Sequence, residues 1–158
     1  MRARIAIFGL GNPLMSDEGI GIHVIETLER RGNLPAGVEL IDLGTGGMRL
    51  LHQIEGRRKL IFVDCVKMGQ QAGALRRFHP DEVRTKKENA RWSLHEGDLL
   101  ETLALAKDLG SLPEDVVIFG IEPQIIEPGL ELSSALAASL EDYAEQVLRE
   151  AGKGPVVR

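Results

Sequence analysis

At 158 residues, with 43% hydrophobic and 27% charged side chains, the chain has the size and balance of one globular domain and is unlike a disordered segment. A formal net charge of -5 argues against a nucleic-acid partner, because phosphate binding draws on surplus Lys and Arg. The single cysteine, Cys65, excludes an internal disulfide and a cysteine-only metal cage and fits a reducing compartment. No apolar run approaches the roughly 20 residues of a membrane span, and Met1-Arg2-Ala3-Arg4 leads into an apolar stretch without a small-residue cleavage site, so a cytoplasmic protein is expected.

Residues 3–9 form an Ile-containing apolar run, the pattern of a strand buried on both faces. Gly9 and Gly11 permit a sharp turn after it, and Asp17 and Glu18 follow where the amides of a helix start favour negative charge. Asp17 is read as an N-cap; Glu18 is either a dipole partner or a functional acid. Ile20, Val24, Ile25 and Leu28 then recur at helical spacing with Glu26, Glu29, Arg30 and Arg31 opposite, an amphipathic crossover helix. A second strand is expected over Val38–Asp42, a short helix bearing His52 after Gly46-Gly47, a third strand over 59–64 ending in Asp64, and an edge strand over 74–79. The charge-rich stretch from Asp81 to Arg91 reads as a solvated loop, or else as a flap that grips a macromolecular substrate. Ser93 and Glu96 stand at capping-box spacing, which places His95 in the first turn of a helix, and a further helix runs from Asp98 to Leu109 and stops at Gly110. A strand over 116–119 and a helix over 130–150, striped with Leu136, Leu140, Tyr143, Ala144, Val147 and Leu148, complete the chain. Strand and helix signals alternate, with no repeat or linker, so one α/β domain over 1–158 is expected.

In an open, mostly parallel sheet, ligands bind beyond the carboxyl ends of the strands, where crossovers diverge. Glu18, Asp64 and His95 are all expected there. Asp64 ends a wholly apolar strand, where a carboxylate must meet a cation or hydrogen-bond donors. Two carboxylates and one imidazole suit a divalent cation such as Zn or Ni, with a position left open for water or substrate. The same groups could supply a general base and its orienting partner without a metal. His52 and His79 lack acidic neighbours at suitable spacing and read as structural or exposed. Thr45-Gly46-Gly47 and Gly120–Pro123 are candidates for lining a peptide groove, with Glu122 on its rim.

Six segments in order carry a resemblance to a known family: Gly11-Asn12 with Asp17-Glu18-Gly19, Asp42-Leu43-Gly44-Thr45, Val63-Asp64, Ser93-Leu94-His95-Glu96, Gly120-Ile121-Glu122-Pro123 and Gly129-Leu130-Glu131-Leu132-Ser133. Together they resemble the nickel-iron hydrogenase maturation endopeptidases. The resemblance implies a three-layer α/β sandwich, with a twisted, mostly parallel five-stranded sheet and helices on both faces. It implies an endopeptidase that removes the carboxyl-terminal extension of the hydrogenase large-subunit precursor after nickel insertion, recognising the bound nickel. Glu18, Asp64 and His95 would then be both the metal-contacting and the catalytic residues, the nickel being supplied by the precursor and replaceable by Zn or Cd. The family pattern commonly has a glycine where Leu43 stands and a small residue where Cys65 stands, and Cys65 raises the question of an extra thiolate.

Other readings have less support. Gly9-Leu10-Gly11-Asn12-Pro13 also opens peptidyl-tRNA hydrolases, but Leu14-Met15-Ser16-Asp17-Glu18 departs from their continuation, and His23 is expected inside a helix. A dinucleotide site would need a further glycine and would have Pro13 within its phosphate turn. A non-catalytic metal-sensing chaperone would use the same three residues without cutting. No helix shows a surplus apolar face, so a monomer is expected.

Overall fold

The computed structural model describes residues 2–45, 49–82, 93–94 and 98–153. Strand β1 (Ile5–Leu10) is buried along its whole length. It leads through a 3-10 turn (Ser16–Gly19) into helix α1 (Ile20–Arg31) and back to β2 (Val38–Gly44). Helix α2 (Arg49–Ile54) carries the chain to β3 (Lys59–Lys67), which is followed by β4 (Leu75–Phe78) and the short β5 (Ser93–Leu94). Helix α3 (Asp98–Asp108), β6 (Asp115–Ile121) and α4 (Ser134–Ala151) complete the order. Five strands lie side by side as β2-β1-β3-β6-β4, while β5 pairs with the end of β3. All neighbours in that row are parallel except β4, which runs antiparallel to β6 at the edge expected for it.

The apolar residues divide by the two-residue period of the strands. Phe8, Phe62 and Val66 face α2 and α3, in a layer with Leu50, Ile54, Leu100 and Leu103. Ile7, Ile61, Val63 and Cys65 face α1 and α4, in a layer with Val24, Ile25, Leu28, Tyr143 and Val147. Helices therefore cover both faces, and the three layers follow. Phe8 and Phe62, opposite one another in the β1–β3 register, stack with ring centroids 4.9 Å apart. Among the described residues no helix is long and apolar enough to cross a membrane.

The start of α1 lies against the sheet at backbone distance. A side chain at Gly21 would collide with the carbonyl oxygens of Val63 and Leu10, and one at Gly9 would come 2.5 Å from the Gly21 carbonyl oxygen. This pair of glycines brings the turn carrying Glu18 over the carboxyl ends of β1 and β3.

Three boundaries differ from the sequence expectation. β3 continues three residues past Asp64, paired with β6 through Cys65, so Asp64 lies within the strand rather than at its tip. α4 begins at Ser134, and the chain before it is tied to the first loop at Gly129 and at Ser133, whose N–H is given to Asp17. Ser93 and Leu94 do not open a helix: they pair antiparallel with Lys67 and Val66, and ladder pairing outweighs the capping-box spacing. The charge-rich stretch falls mostly on residues 83–91, outside the described residues, as do Gly46 and Gly47.

At the amino ends of the strands lies a buried ion network. Lys59 Nζ reaches Glu150 Oε2 at 2.7 Å and Asp115 Oδ2 at 3.3 Å. Arg77 and Lys153 approach the other oxygen of Glu150 at 2.6 and 3.2 Å. Burial pushes the Glu150 carboxyl up, but the hydrogen bonds from Arg77 and Lys59 outweigh it and hold the group down at about 2.

Candidate active site

The strand order places the switch in crossover direction between β1 and β3, whose carboxyl ends form a crevice suited to a ligand. Glu18 and Asp64 are delivered there by different means. Glu18 sits half-buried in the 3-10 turn after β1, its carbonyl oxygen against Gly11, which at φ +122 leaves no room for a side chain. Asp64 is 0% exposed within β3. Its Oδ1 accepts a hydrogen bond from the Cys65 backbone N–H at 2.8 Å, and β-strand alternation turns its side chain to the face shared by Phe62 and Val66.

His95, the third expected residue, lies outside the described residues. Its chain neighbour Leu94 pairs with Val66, two residues beyond Asp64 on the same strand. Among the described residues no group of three His, Cys, Asp or Glu side chains is placed to hold a metal ion. The pair Glu18 and Asp64 supplies hard carboxylate oxygens, and an imidazole would complete a borderline donor set of the kind that accepts nickel or zinc.

Two further acids near the crevice do something the sequence did not reveal. Asp17, 0% exposed, is not the cap of its own helix: neither the 3-10 turn nor α1 has a side-chain cap. Its Oδ2 accepts the backbone N–H groups of Gln124 and Ile125, both at 2.9 Å, and its Oδ1 accepts that of Ser133 at 2.8 Å. Glu122 is buried rather than on a rim; its Oε1 accepts the N–H groups of Met68 at 2.7 Å and Gln70 at 2.9 Å. Local spacing could not signal either role, because the partners stand 52 to 116 residues away.

These acids give the crevice a negative field. Burial pushes the Cys65 thiol up, and the charges of Asp64, Glu18, Asp17 and Glu122 push it further. Cys65 also points into the layer of α1 and α4, away from the face of Asp64. It is a packed thiol, which answers the question of an extra thiolate raised by its position.

The histidines read as structural or exposed behave so. His52 is exposed, and His79 is half-buried with Nδ1 3.6 Å from Asp81 Oδ2. His79 borders a cavity of about 540 Å³ with Leu100, Leu103, Lys107 and Val116, none of which belongs to the crevice. Thr45 is exposed, and Gly120 is locked inside the sheet opposite Asp64.

Comparison with known proteins places this crevice in context. A family model described as hydrogenase maturation protease matches residues 22–150, a span that includes Asp64 and His95 and begins just after Glu18. The hydrogenase 2 maturation protease of Escherichia coli K12 is 35% identical over 98% of this chain and 96% of its own length. The solved structure of the hydrogenase maturating endopeptidase HybD from E. coli is 34% identical, with a TM-score of 0.82 over 96% of this chain and 94% of that one. The NiFe hydrogenase maturation protease HybD from Thermococcus kodakarensis is 25% identical, with a TM-score of 0.76 over 96% of this chain and 99% of that one.

Proposed function

From the premise that the chain belongs to the hydrogenase maturation protease family and is an endopeptidase of hydrogenase maturation, we propose that it trims the carboxyl-terminal extension of a nickel-iron hydrogenase large-subunit precursor once nickel is in place. Glu18, Asp64 and His95 complete the coordination of the precursor's nickel from outside, and this docks the scissile bond within reach. Metal filling then becomes the test of specificity. The nickel is cargo that arrives with the substrate, and Zn or Cd can occupy the same donor set.

The observation that carries this reading is Asp64, a fully buried carboxylate that follows the apolar run Leu60–Val63 in β3 at the crossover switch, with Glu18 in the 3-10 turn after β1. Carboxylate oxygens gathered at such a crevice are suitable donors for a divalent cation. The name of the Thermococcus kodakarensis protein, a NiFe hydrogenase maturation protease, agrees with nickel as that cation. The cation would polarise the attacking water or the scissile carbonyl, while the chain's own groups hold the precursor in register.

The test is trimming of nickel-loaded and nickel-free precursor, read by mass spectrometry of the released peptide, for wild type and His95→Ala. Cleavage by wild type only, and only with nickel, is expected. Equal cleavage of both precursors would remove nickel from the mechanism, and docking without cleavage would favour a metal-sensing chaperone.

A further inference from the structure

The two acids of the first loop divide their work. We propose that Asp17 is a positioning residue: without touching nickel or precursor, it locks residues 12–19 onto residues 124–133 and so presets Glu18 for docking. The proposal rests on the role of Glu18 in the reading above.

Seven hydrogen bonds join these loops among the described residues. Backbone bonds run from Ser16 N–H to Gly129 at 2.9 Å, from Gly129 N–H to Leu14 at 2.9 Å, and from Asp17 N–H to Ile125 at 3.1 Å. The Ser16 hydroxyl donates to the Glu127 carbonyl at 2.8 Å. The remaining three are the amides of Gln124, Ile125 and Ser133 on the Asp17 carboxylate. Ser16 is held at φ +55, the one non-glycine residue in the left-handed region among those described. Such a conformation persists where the surroundings over-determine it, and it gathers at functional sites.

The chemistry of the Asp17 position requires a carboxylate. Three N–H donors converge on two oxygens, so an amide of the same shape would set its own N–H2 against a backbone N–H. Ser133 is the N-cap residue of α4, so the same carboxylate ties the start of that helix to the residue that precedes Glu18. With the turn already ordered, Glu18 meets the precursor without the entropic cost of arranging its loop on binding. Loss of the latch should therefore appear as weaker docking, a raised KM, with kcat nearly unchanged.

The experiment compares trimming of nickel-loaded precursor by wild type, Asp17→Asn, Ser16→Gly, Glu18→Gln and the double variant Asp17→Asn/Glu18→Gln, with folded fractions measured by circular dichroism. Precursor affinity is read as KM where trimming is measurable and as inhibition of wild-type trimming where it is not. Asp17→Asn is expected to raise KM about ten- to hundredfold, the usual range for groups that orient metal-contacting residues, with kcat within about threefold. Ser16→Gly, which relieves the left-handed backbone while losing one latch bond, should move KM the same way by less. In the Glu18→Gln background Asp17→Asn should add little. An unchanged KM for folded Asp17→Asn, or an undiminished effect in that background, would overturn the proposal. If Asp17→Asn does not fold, a wild-type KM for Ser16→Gly overturns it. Wild-type trimming by Glu18→Gln would instead sink the reading of Glu18 itself, and with it the proposal.

Discussion

The two ends of this sheet bury acids in opposite ways. At the amino ends, Glu150 and Asp115 meet Lys59, Arg77 and Lys153 from the same chain, a network closed within the molecule. At the carboxyl ends, Asp17 and Glu122 are met by backbone N–H groups, and the field they add to that of Glu18 and Asp64 is negative enough to act on Cys65. Backbone amides satisfy oxygens without cancelling the charge of a carboxylate. The amino-end acids are tied to side-chain cations of the same chain and serve folding, whereas Asp17 and Glu122 are tied to backbone amides and hold the loops around the crevice in place.

The contrast is broken most severely at Asp64. Asp64→Asn keeps the shape and the acceptor for Cys65 but removes the charge, and trimming of nickel-loaded precursor should fall more than about 10³-fold; His95→Ala should match it. Near-normal peptide release from either variant in the mass-spectrometric assay would place the chemistry elsewhere.

Next in size is the amino end. Lys59→Met leaves Asp115 and Glu150 short of a buried cation and should cost about 3–5 kcal/mol, visible in thermal unfolding, while the protein that remains folded trims normally. Loss of trimming by folded Lys59→Met would mean that the ends are coupled.

The pH dependence sharpens the same point. The Glu150 carboxyl is held at about 2, below its ordinary 4.5, so its contribution is fully present above the unfolded value and is lost as pH falls through the folded one. Roughly 3 kcal/mol should disappear between these limits. Denaturant titrations across that range should show this slope in wild type and a flatter one in Glu150→Gln; equal slopes would remove Glu150 from the account of acid stability.

The smallest effect is expected at Cys65. Cys65→Ala empties a small volume in the layer of α1 and α4, at about 1 kcal/mol, and should leave trimming within about threefold. A loss as large as that of Asp64→Asn would restore sulfur to the site.

The strands and helices were legible because each has a strong period of its own. β1, the apolar part of β3 and α1 stand close to where their side chains predicted, and the edge strand β4 was visible in 74–79. The position of Asp64 in the third strand was legible because it directly follows the apolar run Leu60–Val63. The helix start at Ser93 was misread because a capping spacing is local, whereas the pairing of Leu94 with Val66 joins residues 28 positions apart. Glu122 was misplaced on a rim for the same reason.

Periodicity and residue chemistry thus determined, by themselves, the alternating α/β order and the apolar faces, since these depend on neighbours along the chain. Tertiary structure alone decided that Asp17 binds amides more than a hundred residues away, that Glu122 closes a second loop and that Cys65 points away from Asp64. A hydrogen bond or an electrostatic field depends on distance in space, and only the folded sheet sets that distance.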